Sequence, residues 1–165
     1  MHLVIGDDDT LHHPARSNAS LALASLISAS RHRLWLRVPT LDGLTGNAAV
    51  CDAVKVLALS NARADIRILF DSIENAVPNG HRLVHLSRRL PSRITLRQTQ
   101  PDDNDAQQCF AIGDNSSLFE ASGWPRPARL DLCGHRLPQA PRLAQQFLEH
   151  WARGRASTEL RKLRL

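Results

Sequence analysis

Over residues 33–39 (RLWLRVP) Trp35 and Val38 lie among alternating polar and apolar positions, and residues 65–71 (DIRILFD) make a second apolar run bounded by polar residues. A period of two predicts strands. Residues 94–98 and 129–133 are two further strand segments. Between them the period lengthens. Val50, Val54, Leu57 and Ala58 share one face of a helix over residues 47–61, and residues 81–90 form a second amphipathic helix stopped by Pro91. Residues 19–29 predict an earlier helix, with Ser17 or Asn18 as its cap. Leu143, Phe147 and Trp151 recur every four residues and predict the buried face of a closing helix over 142–153. Within residues 107–124 two short strands flank a tight turn at Gly113-Asp114-Asn115-Ser116. Strands that alternate with helices predict an α/β/α sandwich around a mixed, largely parallel sheet. The domain spans residues 16–153. Residues 1–15 read as a flexible lead-in and 154–165 as a basic tail, partly helical from Thr158. Residues 99–106 read as a polar loop and 122–127 as a turn.

Composition narrows this picture. A chain of 165 residues can bury one sizeable core. Aromatic content is 4% with no tyrosine, so that core must be built from Leu, Ala, Ile and Val. No stretch approaches the roughly twenty apolar residues of a membrane span. The apolar run at 19–29 starts late and lacks a basic front, so it reads as a poor signal peptide and as a helix instead. These features predict a cytoplasmic protein off the membrane. Cys51, Cys109 and Cys133 have no CxxC spacing and read as reduced, buried thiols. Neither GxGxxG nor GxxxxGK[ST] occurs, and no cofactor is expected.

Charge adds a candidate surface. The net charge is +5, carried by 19 arginines and two lysines. Residues 129–165 hold eight basic and three acidic residues. Arg82, Arg88, Arg89, Arg93 and Arg97 fall within sixteen positions, and Arg82 and Arg89 align with His85 on one helical face. Arg82, Arg88 and Arg89 are therefore candidate anion-binding residues, because guanidinium presents a fork of donors to phosphate. The alternative is a solvated stripe that keeps the protein soluble. His81 and His85 have metal-ligand spacing, but Arg82 lies between them and no third ligand is evident, so no metal is expected.

The segment QQCFAIGDNSSLFEASGW, residues 107–124, resembles the phospholipase D signature His-x-Lys-(x)4-Asp-(x)6-Gly-Ser. With Asp114 as anchor, Gln107 stands at the histidine place and Cys109 at the lysine place. Ala121 and Ser122 stand at the Gly-Ser place, so only Asp114 and Ser122 match. The order of elements also resembles one phospholipase D half-domain. In that family the histidine attacks the phosphodiester and the lysine neutralises the phosphoryl oxygens. An amide has no comparable nucleophile, and a thiol in an apolar strand is a poor thiolate. The resemblance thus implies a non-catalytic binding or scaffolding module. Two alternatives stay open: a weak nucleic-acid or phosphate binder acting through the arginine-rich face, and a residual phosphodiesterase using His81 or His135. Family members with one motif per chain pair up, which implies a homodimer with the segments 107–122 near the interface. Modules of this degenerate kind also resemble ones appended to acetyltransferases, which implies a partner of that type.

Overall fold

The computed structural model describes residues 3–73, 81–157 and 160. Among the described residues six strands form one sheet: β1 (Arg33–Thr40), β2 (Asp65–Ser72), β3 (Ile94–Gln98), β4 (Phe110–Gly113), β5 (Ser117–Glu120) and β6 (Asp131–Cys133). Their order is β3-β2-β1-β4-β5-β6. Pairing is parallel between β1 and β2 and between β2 and β3, and antiparallel from β1 through β4 and β5 to β6. Hence β1, β2, β3 and β5 point one way, and β4 and β6 the other. The helices are α1 (Ala19–Ala29), α2 (Ala48–Ser60), α3 (Arg82–Arg89) and α4 (Gln139–Arg153).

Strand alternation distributes these helices. Leu34, Leu36, Val38, Ile66, Ile68, Phe70, Ala111 and Phe119 point to one face and bury the apolar sides of α1, α2 and α3. Trp35, Leu69, Phe110, Ile112 and Leu118 point to the other, where α4 supplies Ala140, Ala144, Phe147 and Trp151. Trp35, Phe147 and Trp151 stack with ring centroids 5.4 and 5.7 Å apart, which adds a directional contribution to area burial. The result is the expected three-layer α/β/α arrangement. No described helix is long and apolar enough to cross a membrane.

Several expectations are corrected. Neither Ser17 nor Asn18 caps α1 with its side chain. A 3-10 turn, Arg16–Asn18, leads into the helix instead. The lead-in is attached rather than loose: Leu3 is buried, and His12 exchanges backbone hydrogen bonds of 2.8 and 2.9 Å with Leu132 on β6. The first part of the tail is attached too, since Arg155 exchanges two bonds with Gln98 at the outer edge of β3. The helical stretch expected from Thr158 lies outside the described residues, apart from Leu160. α4 starts three residues before its expected start, at Gln139. Pro141 falls in its first turn, where a missing N–H costs nothing. Leu143 is only half-buried, and Ala140 and Ala144 take the inward positions with Phe147 and Trp151.

Candidate functional site

The hairpin of β4 and β5 sets the motif positions. Its turn puts Asp114 and Asn115 at φ 48° and 70°, the left-handed region that Asp and Asn tolerate best among side-chain-bearing residues. Ser116 N–H closes the turn on Gly113 O at 3.2 Å. Gly113 has no room for a Cβ, because the hydroxyls of Ser30 and Ser117 press against it.

Asp114 sits where β1 begins. Its carboxylate accepts the N–H groups of Arg31, His32 and Arg33 at 2.8, 2.9 and 2.9 Å. It therefore ties the hairpin turn to the entry of the central strand. Gln107, Cys109 and Ser122 lie at the opposite end of β4 and β5. There Ala121 N–H donates to Cys109 O at 2.8 Å and Gly123 N–H to Gln107 O at 2.9 Å. The fold thus brings three of the four motif positions together and holds the fourth a strand length away.

At that end the motif positions hold a buried thiol and an exposed amide. Cys109 is 1% exposed. Desolvation pushes its thiol up to about 12, Asp42 adds to the shift, and Arg37 opposes it. Gln107 is an exposed amide. Trp124 packs partly against the core, and its indole N–H donates to Asp42 Oδ2 at 2.8 Å.

The family model described as a domain of unknown function, DUF7931, matches residues 15–163. The chain belongs to this family. No curated protein matches it. Among solved structures it is similar to NucT from Helicobacter pylori, at 13% identity over 90% of this chain and 98% of that one, with a TM-score of 0.61. It is also similar to the phospholipase D family member Nuc from Salmonella typhimurium, at 14% identity over 88% and 95%, with a TM-score of 0.61. A third similar structure is that of TrmBL2, an archaeal chromatin protein with a novel mode of DNA binding, at 14% identity over 90% and 54%, TM-score 0.57. These likenesses give this DUF7931 member a phospholipase D-like fold.

Among the described residues, none of the histidines named beforehand is hydrogen-bonded to Gln107 or Cys109. His81 is 1% exposed and caps α3. Its Nδ1 accepts Leu83 N–H at 3.2 Å, so the proton sits on Nε2, facing Thr45 Oγ1 at 3.1 Å. Burial lowers its pKa, against the opposing pull of Asp42. His85 is exposed, so the two histidines do not converge. His135 follows β6 at the Asp114 end, away from Gln107 and Cys109. Arg82, Arg88 and Arg89 are all exposed on α3, and Arg88 donates to Leu160 O at 2.6 Å.

Two polar clusters in this DUF7931 domain escape sequence reading. Arg37, 0% exposed, extends from β1 and donates to Val38 O at 2.9 Å and Asp71 Oδ1 at 2.8 Å. Asp71 also accepts Thr99 Oγ1 at 2.7 Å and Asp105 N–H at 3.0 Å. This buried ion pair fastens the loop after β3. Beside the motif, Glu120 and Asp131 face each other across β5 and β6. His13 Nδ1 lies 3.1 Å from Asp131 Oδ1, and Arg129 Nε 3.0 Å from the same oxygen. Desolvation and then Asp131 raise the Glu120 pKa, while Ser122, Arg129 and Arg136 pull it back. A cavity of about 380 Å³ is lined by Glu120, Ser122, Ala128, Arg129 and Asp131. The polar residue within each strand was the one available signal for both clusters, because their partners come from distant segments.

Proposed function

We propose that this chain is a binding module with a phospholipase D-like fold that has lost the family's phosphodiesterase chemistry. The observation that carries the reading is the pair at the motif positions. An exposed amide stands at Gln107, and a buried thiol pushed up to about 12 stands at Cys109. Neither supplies a nucleophile near neutral pH, and neither offers a cation to a phosphoryl group. His81 is spent as a helix cap. Binding through the same face of two chains follows from the family's habit of pairing motif segments, with residues 107–122 at the contact.

One observation favours a second reading. The His13–Asp131 pair engages Nδ1 and, among the described residues, leaves Nε2 of a half-exposed imidazole without a partner, and a carboxylate that orients imidazole is a general-base arrangement. Hydrolysis of bis(p-nitrophenyl) phosphate from about pH 5 to about pH 8 separates the two readings. The binding-module reading expects no turnover from the natural protein or from His13→Asn. Turnover that disappears in His13→Asn establishes the second reading and ends the first. Gln107→His with Cys109→Lys is expected to restore little, since the supporting residues are also absent.

A further inference from the structure

The flank of the sheet beside α4 carries a row of arginines on neighbouring strands. Arg33 opens β1, Arg67 lies in β2 and Arg97 in β3. In the register, Arg33 faces Asp65, Arg67 faces Trp35 and Thr95, and Arg97 faces Leu69. Each step therefore moves one strand across and two residues along, a diagonal of about 7–8 Å. All three point to the α4 side.

Two tryptophans hold the guanidiniums flat. Arg33 and Arg67 lie over Trp35 at 4.7 and 5.3 Å, and Arg67 and Arg97 over Trp151 at 5.6 and 4.7 Å. Such stacking fixes a guanidinium face while leaving its edge donors for a ligand. The side chains of Arg33 and Arg67 are 36% and 30% exposed. Some donors are already engaged: Arg33 with Asn115 Oδ1 at 2.6 Å, Arg67 with Asp65 Oδ1 at 2.9 Å, and Arg97 with Trp151 O at 2.9 Å. Among the described residues, Asp65 is the carboxylate paired with this row. Three cations against one anion leave the strip positive.

We propose that Arg33, Arg67 and Arg97 form a phosphate-binding strip whose ligand is the sugar–phosphate backbone of a nucleic acid. The argument is charge complementarity in a fixed geometry. Cations set apart along a diagonal suit charges spaced along a sugar–phosphate chain better than the contiguous phosphates of polyphosphate. Trp35 and Trp151 are 4% and 6% exposed, so they support the arginines and do not stack bases. Recognition is therefore of the backbone and indifferent to sequence. The proposal rests on the binding-module reading and names the ligand of that module. It uses a surface different from Arg82, Arg88 and Arg89.

The test is a fluorescence-anisotropy titration of labelled oligothymidylate from about 50 to about 200 mM salt. Three phosphate contacts on a single strand predict a log–log salt slope of about −2. Arg97→Gln should flatten that slope by about 0.7. Thr95→Glu places a carboxylate opposite Arg67 at an exposed position and keeps every arginine. It should weaken binding several-fold with an unchanged circular-dichroism melt. The triple variant Arg82→Gln/Arg88→Gln/Arg89→Gln should leave affinity unchanged. Absence of binding at about 50 mM salt overturns the strip, as does binding lost only in the α3 variant. Displacement by inorganic polyphosphate as readily as by unlabelled oligonucleotide overturns the assignment of the ligand. Cleavage of the bound oligonucleotide defeats the non-catalytic reading alone and leaves the strip standing.

Discussion

His81 and Cys109 make the same physical point from opposite chemistries: burial selects the neutral form of each. For His81 the folded pKa lies below the ordinary 6.5. Its contribution is therefore fully present above that value and is lost as pH falls through 6.5 toward the folded value. Denaturant melts between about pH 8 and about pH 5 should show this loss in the natural protein. His81→Asn keeps a capping side chain and should show a flatter profile; equal slopes would contradict a buried neutral imidazole. Glu120 has the opposite sign. Its raised pKa means the protonated form suits the fold, so its contribution is present below the ordinary 4.5 and lost as pH rises through the folded value. Glu120→Gln should raise the melting temperature at neutral pH and lose that advantage in acid. An unchanged or lower neutral melting temperature would remove the case for a strained Glu120–Asp131 pair. Neither shift could be read from the chain alone, since the groups that desolvate His81 and Glu120 belong to other elements.

The closing helix and the motif hairpin show what local pattern can and cannot say. The spacing of Phe147 and Trp151 places Phe147 on Trp35 and Trp151 on Phe147, as their period requires. Trp151→Ala should cost about 3–5 kcal/mol in a denaturant melt. A cost below about 1 kcal/mol would mean that the stack carries little of the attachment of α4. The strand pattern of β1 and β2 was legible because Arg33, Asp65 and Arg67 fall on a partly exposed face, while Leu34, Leu36, Ile66 and Ile68 fall on the buried one. The start of α4 was not, because Pro141 reads as a breaker in sequence yet is tolerated in a first turn. In the hairpin, Asp114 was legible as an anchor of the register. Its bonds to three backbone N–H groups 81–83 residues away were not.

At the scale of the molecule, distant segments close the domain. His13 reaches Asp131 across 118 positions and Arg37 reaches Asp71 across 34, which no periodicity encodes. Removing one member of the buried Arg37–Asp71 pair leaves an uncompensated charge, so Asp71→Ala should cost about 3–5 kcal/mol. Arg37 also donates to Asp103 O at 3.3 Å, and a milder loss in the same melt would show that this carbonyl and water satisfy the guanidinium unaided. The phospholipase D-like order of elements was legible throughout, while the arginine strip appeared only once β1, β2 and β3 were in register. This fold is expected to bind without cutting, and the decisive measurement is the length of a labelled oligonucleotide recovered after incubation at low salt. A non-catalytic module should give a shifted complex that releases the oligonucleotide at full length. Shortened products that vanish in His13→Asn would contradict it.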